Sequence, residues 1–268
     1  MSALFREIQP HTGFDRFVNP NWQMVPVSGF RILLLQGAGG APVNSSDPRI
    51  ATVAVAQVLG AQFVRINGMR VGSCQIRVGS GPIFDVVLNV SVKNKKRVRT
   101  SFHYVDDGRV QKTARRIGDL DDMLAAINQI WLPQANIEIA RHSAAPLRIA
   151  QNLGKVVRFS AHLKGVARRQ HEWDVVTAHA DRTADFNVFF VKEYEQDYMP
   201  LRDQTGAATL DGNCIFEDET LDPASLLLAH ELGHYLGIDD TDNQRELMFG
   251  WSARGIFIPR RHTNTANP

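Results

Sequence analysis

His230, Glu231 and His234 are spaced in a way that suits metal chemistry. Imidazoles four residues apart on a helix share one face, with Cβ atoms roughly 5–6 Å apart, so both can reach one ion at about 2.0–2.1 Å. Glu231 is next to His230 and cannot point at the ion from the same rung. It can lean over the open side, where a base for a metal-activated water belongs. A catalytic site needs a third ligand from beyond the helix. Gly237 permits a sharp turn back, and Asp240, a carboxylate, follows it three residues later. Asp239, Asp242 and His262 are rivals for that third position. A plainer reading is a helix carrying two surface histidines and no metal. Another keeps the metal without any activity.

These residues require a helix, expected over Pro223–Leu236. Asp222 is a good N-cap, and Pro223 suits the first helical position. Leu226, Leu227, Leu228 and Leu232 supply an apolar face, and Gly237 suits the left-handed residue just past a helix end. Upstream, Val98–Val105 reads as a strand. Asp119–Trp131 reads as an amphipathic helix, with Leu120, Met123, Leu124, Ile127, Ile130 and Trp131 three and four apart and Pro133 as its bound. Asn136–Ala140, Phe186–Val191 and Cys214–Glu217 read as strands, and residues 160–180 as mixed and partly helical. This order predicts an α+β (α/β) domain over residues 97–262.

Residues 24–96 have a different texture. Short apolar runs at Phe30–Leu35, Ile50–Gln57, Gln62–Asn67, Ser73–Val78 and Phe84–Val92 alternate with turn signals such as Asn67-Gly68, which predicts an all-β sandwich. The charged run Lys93–Arg97 places a domain boundary there. Residues 1–23 are expected to form an irregular arm, and 263–268 a disordered tail. The expected fold class is therefore multidomain: a β-sandwich followed by an α+β catalytic domain.

The pattern His230-Glu231-x-x-His234-x-x-Gly237-x-x-Asp240 resembles the metzincin metallopeptidases, and Asp in the last place resembles their snapalysin-like members. Met248, in Glu246-Leu247-Met248-Phe249-Gly250, resembles the clan's methionine turn. The resemblance implies a zinc metalloendopeptidase with His230, His234 and Asp240 as zinc ligands, Glu231 as catalytic base and Met248 beneath the ion. The pattern departs from the clan in two places. Asp240 stands where most of the clan has His, which makes the ion a weaker Lewis acid, and Gly250 stands where some groups have a metal-binding Tyr. In the N-terminal stretch, Ser45–Val53, Gly72–Ile76 and Leu88–Val92 resemble the bacterial immunoglobulin-like modules, which implies a sandwich that spaces or binds a surface or protein ligand.

From that chemistry, a peptide or protein substrate is expected to lie extended on an edge strand, with Asn187–Val191 as the neighbouring strand. Phe249 and Trp251 could wall the pocket past the cut, or pack under the methionine turn. The competing functional readings are a zinc amidase or peptidase acting on cell-wall peptides, a delivered bacterial effector or toxin, and an inactive zinc-binding adhesion module.

The bulk numbers exclude other classes. The net charge of +2 over 268 residues is too small for a nucleic-acid-binding face. Hydrophobic residues at 44% are enough to build a core without staples. Cys74 and Cys214 read as two reduced thiols. His103, His142, His162, His171 and His179 read as ordinary surface or capping histidines. No run is long enough to span a bilayer. Residues 1–30 mix charges with Pro and Asn, so no signal peptide is recognised. The expected location is the cytoplasm of a bacterium, or outside it by a signal-less route, unless the chain is a mature form without its leader.

Overall fold

A computed structural model describes residues 3–79, 86–159, 172–196 and 206–268. Strand accounts for 42% of the chain and helix for 19%, so the molecule is mainly β, built from several sheets. The expected pairing of a separate immunoglobulin-like sandwich with an α+β catalytic domain is not found. The chain forms two compact units that do not follow the sequence in order. The first comprises Met1–Lys96, Ile130–Glu138 and Phe257–Pro268, and the second Arg97–Gln129 and Ile139–Ile256.

In the first unit, strands β1 (Leu4–Glu7), β4 (Phe30–Gln36), β6 (Ala51–Val58) and β7 (Ala61–Gly68) form one sheet, in the order β1-β4-β7-β6. Strands β2 (Phe14–Asp15), β3 (Trp22–Pro26), β5 (Val43–Ser45), β8 (Gly72–Val78) and β9 (Val86–Lys93) form a second, in the order β2-β3-β9-β8-β5. Residues from both sheets, among them Phe5, Leu33, Val64, Ile66, Ile76, Leu88 and Val90, share one core. The alternation of buried and open positions along β7 and β8 is what a sheet with one covered face requires.

The expected arm is thus part of the fold. β3 runs parallel to β9, with Trp22 opposite Asn89 and Val25 opposite Val92. The expected tail is also structured. Residues Arg260–Ala266 form a helix with Thr263 and Ala266 fully buried. Lys96 Nζ donates to the Ala266 carbonyl at 2.7 Å, Lys93 Nζ donates to the Asn267 carbonyl, and the Asn267 amide donates to Asn94 O and Ala135 O at 3.0 and 2.9 Å. Arg260 N donates to Asp15 Oδ2 at 2.8 Å. With each buried bond worth about 1 kcal/mol, removing residues 260–268 is expected to cost the protein about 3 kcal/mol or more, read as a lowered urea midpoint. An unchanged midpoint would return the segment to the status of a tail.

β10 (Lys96–Asp106), β11 (Ile137–Arg148), β13 (Phe186–Val191), β15 (Ala207–Leu210) and β16 (Asn213–Glu217), most of whose residues belong to the second unit, form a five-stranded sheet ordered β11-β10-β13-β16-β15. β12 (Val157–Phe159) and β14 (Tyr194–Gln196) form a parallel pair. Helix α1 covers Leu120–Ala135, α2 Glu172–Thr177, α3 Ala224–Tyr235, and the C-terminal helix already described is α4. α1 runs two residues past Pro133, so the proline does not bound it. β13 is parallel to both β10 and β16 and every residue in it is buried, as a central parallel strand demands. β15 is antiparallel to β16 and is joined to it through Asp211 and Gly212, both at positive φ (50° and 78°). This is the two-residue hairpin turn that Asp-Gly favours, and it makes β15 one of the sheet's two outer strands, with β11 the other. The part of the 160–180 reading that falls on residues 160–171 lies outside the described residues.

Candidate metal centre

α3 carries His230 and His234 and differs at its start from the sequence reading. Pro223 is the capping residue, and Asp222 makes no cap. The Asp222 carboxylate instead accepts from Ala253 N at 2.9 Å and lies 3.0 Å from Arg254 Nε. The helix ends as expected. Gly237, at φ 84°, donates to His234 O, and Ile238 N donates to Gly233 O, both at 3.0 Å. This pair of bonds is the left-handed helix stop that satisfies the last carbonyls and swings the chain back past its own last turn.

That reversal delivers Asp240. Its Oδ1 lies 3.4 Å from His230 Nε2 and 3.5 Å from His234 Nε2, and the two Nε2 atoms are 3.0 Å apart. The imidazoles' outer nitrogens are both engaged by carbonyls: His230 Nδ1 with Leu247 O at 3.0 Å, and His234 Nδ1 with Ile238 O at 2.9 Å. A carbonyl can only accept, so each Nδ1 carries the hydrogen and each neutral imidazole presents a bare lone pair at Nε2. Two lone pairs facing each other at 3.0 Å repel. A cation between them turns that repulsion into coordination. Tetrahedral ligands at about 2.0–2.1 Å from an ion stand about 3.3–3.4 Å from one another, close to all three edges of this triangle. The donor set therefore fits a small divalent metal ion. Glu231 brings a carboxylate oxygen within 4.8 Å of both imidazole nitrogens.

Glu231 is buried, and its Oε2 has no hydrogen-bond partner. Burial pushes its pKa up, and His234, Thr209 and Arg254 act against that rise. His230 is driven down to about 2, first by burial and then by the positive charge of Arg254 and by His234. Asp239 and Asp242 are exposed, and His262 sits on α4 in the other compact unit.

The methionine segment braces this triangle. A Cβ built on Gly233 would lie 2.2 Å from Met248 Sδ and one on Gly250 would lie 3.2 Å from Asp240 Cγ. Thr241 N donates to Met248 O at 2.7 Å, and Gly250 N to Thr241 O at 3.2 Å. Met248 thus lies directly against the backbone of α3 between the two histidines, and the carbonyl before it orients His230. Met248 is buried and cannot move freely aside, so Gly233→Ala is expected to cost about 1–3 kcal/mol by overpacking and to weaken metal binding in parallel. A melting curve and a metal titration matching the wild type would show that this contact is slack.

The remaining sequence expectations separate here. Trp251 is exposed and Phe249 half-buried, which leaves both able to line a surface. Asn187 is on the central strand, where its amide oxygen contacts His103 Nε2 at 3.0 Å and accepts from Asp181 N at 2.8 Å. It is part of a polar network on a strand with a neighbour on each side, β10 and β16. His103 is not an ordinary surface histidine, because it stacks on Phe189 at 4.5 Å. Cys74 and Cys214 are free and buried, as read. Sequence reasoning missed Arg254, whose guanidinium side chain is fully buried, and Thr209 on β15. Neither belongs to a local spacing pattern that could have revealed it.

No protein-family model and no curated protein matches the chain. Among solved structures it is similar to metalloproteinase-II from Bacteroides fragilis, at 11% identity and a TM-score of 0.37, over 91% of this chain and 84% of that one. It is also similar to surface layer protein SbsC, domains 1–6, at 23% identity and a TM-score of 0.25, over 28% of this chain but only 12% of that one. A third likeness is to the GspB Siglec domain, at 10% identity and a TM-score of 0.24, over 50% of this chain and 76% of that one. The chain spans less than two thirds of the surface-layer structures it matches. At these scores the likenesses carry no argument, and they establish neither metzincin membership nor an immunoglobulin-like module. The metal-binding reading stands on the site's own geometry.

Proposed function

We propose that the chain is a zinc-dependent endopeptidase. The observation that carries this reading is the triangle of His230, His234 and Asp240, with the two Nε2 atoms facing each other at 3.0 Å and a buried carboxylate beside them whose Oε2 has no partner. His230, His234 and Asp240 hold the ion, and Met248 supports the helix beneath it. Bound zinc would polarise a water molecule and the scissile carbonyl. Glu231, with its Oε2 free of partners, would hold and pass on a proton there as the general acid–base group. Its burial favours the protonated form, which suits passing a proton on.

β15 is an outer strand of its sheet, and Thr209 on it acts on Glu231. An extended peptide pairing with β15 would pass alongside that carboxylate. Phe249 and Trp251 are the candidate pocket wall. No helix among the described residues is long and apolar enough to cross a membrane, and a signal-less bacterial export route or a cytoplasmic location remains part of the proposal.

The test is metal analysis of the purified protein together with hydrolysis of a fluorogenic peptide library, with and without chelator. About one zinc per chain and chelator-sensitive cleavage are expected. A zinc-loaded protein that cleaves no peptide, from casein to cell-wall stem peptides, would sink the enzymatic reading and leave a binding role.

A further inference from the structure

Arg31, on β4, has its guanidinium held by backbone alone. Its Nε donates to Thr12 O at 2.9 Å, Nη1 to Phe30 O at 3.0 Å and Nη2 to Pro133 O at 2.7 Å. No carboxylate faces it among the described residues, and burial draws its pKa down to about 10 with no opposing charge. A guanidinium has five N–H groups, so two remain unused, one on each Nη. Partly buried cations without an anion are costly, and this one lines a cavity of about 570 Å³.

The other walls of that cavity are partly apolar and open, with Gln9, Thr12 and Ser28 also among them. Ile8, Phe30 and Ile32 line it while 51%, 46% and 41% exposed. β1 pairs with β4 only from Leu33 to Gln36, and β4 begins at Phe30. The main chain of Phe30–Ile32 therefore has no strand beside it on that side among the described residues. Side chains alternate across a strand, so Arg31 flanks this free edge on one face and Phe30 and Ile32 on the other. A compact molecule seated on one face would meet either the cation or the apolar walls. An extended chain lying along the edge meets both.

We propose that this edge captures the free C-terminus of a peptide with an apolar last residue. The peptide continues the line of β1 along Phe30–Ile32 by strand addition. Its terminal carboxylate takes the two unused N–H groups of Arg31 in the paired geometry a guanidinium offers. Its last side chain packs on Ile8, Phe30 and Ile32. This site belongs wholly to the first compact unit and does not depend on the peptidase reading.

The test is fluorescence polarisation with a labelled heptapeptide ending in Leu, run on the full-length Glu231→Gln protein so that binding is read without cleavage. The free acid is expected to bind, and its C-terminal amide about tenfold or more weaker, as loss of a desolvated charge pair implies. Arg31→Met is expected to abolish the difference between acid and amide. Ile32→Asp places a like charge at the rim without touching the hydrogen bonds of Arg31, and is expected to weaken the acid about tenfold or more in a protein whose melting is unchanged. Equal binding of acid and amide, no binding of either at millimolar peptide, or unaltered affinity in folded Ile32→Asp would each overturn the proposal. So would 3-phenylpropionate displacing the peptide at equal concentration, since a small acid would then suffice.

Discussion

Glu231→Gln is expected to keep its metal and lose about 100-fold or more of its peptide hydrolysis, the usual contribution of a positioned acid–base group. The amide has the volume of the carboxylate and cannot accept the proton. Glu231 Oε2 makes no hydrogen bond, and although the exchange weakens the favourable pull of His234, Thr209 and Arg254 on the carboxylate, the desolvation cost it relieves is the larger influence. The variant should therefore fold and melt at or above the wild-type temperature. That combination of more stable, metal-loaded and inactive is the signature of a residue retained for chemistry. Wild-type turnover would reassign the base. Loss of the metal together with the activity would place Glu231 among the ligands, a role its position within 4.8 Å of both imidazole nitrogens leaves geometrically open.

The second large effect concerns the ion. With free zinc a thousandfold above its Kd, binding to the native state alone stabilises by about 4 kcal/mol, which should appear as a rise in Tm reversed by chelator. Acid should act in the same direction as chelator, for two reasons. Protonated imidazoles cannot ligate. In the metal-free protein, moreover, His230 titrates at about 2 against an ordinary 6.5 because it is buried beside Arg254 and His234. Between those values the unfolded chain binds a proton that the folded chain refuses, so stability is full above pH 6.5 and declines as pH falls toward 2. Zinc that remains bound at pH 4 with an unchanged melting curve would contradict both halves of this account.

The core of the candidate site was legible because its geometry is local. Four-residue spacing on one helix, a glycine stop and a carboxylate three residues on define a triangle with no need of the rest of the fold, and its longest edge is 3.5 Å. Met248 was singled out only through the resemblance to a methionine turn, and the structure alone shows that it packs against α3 where Gly233 must lack a side chain. Arg254 and Thr209 were not legible, because their place beside Glu231 depends on a loop return and on a sheet edge. The same limit explains the fold-level error. β1, β2 and β3 are short, and β3 finds its partner β9 more than sixty residues away in parallel, a pairing with no periodic signature. The sequence Arg-Arg-His-Thr-Asn-Thr-Ala has poor helix propensity. It is helical because tertiary bonds from Lys96 and to Asp15 hold it.

The first compact unit is assembled from three separated stretches of chain, with Ile130–Glu138 and Phe257–Pro268 joining the N-terminal strands. On the ribosome, those strands emerge before the whole of the second unit, and wait through its synthesis for the residues that cover them. Exposed edges during that interval invite mispairing. A heterologous host short of chaperones should therefore yield more insoluble chain when translation is slowed between codons 139 and 256 than when it is slowed afterwards. For the same reason, cutting the chain at residue 96 leaves the second unit whole on one fragment and divides the first between the two.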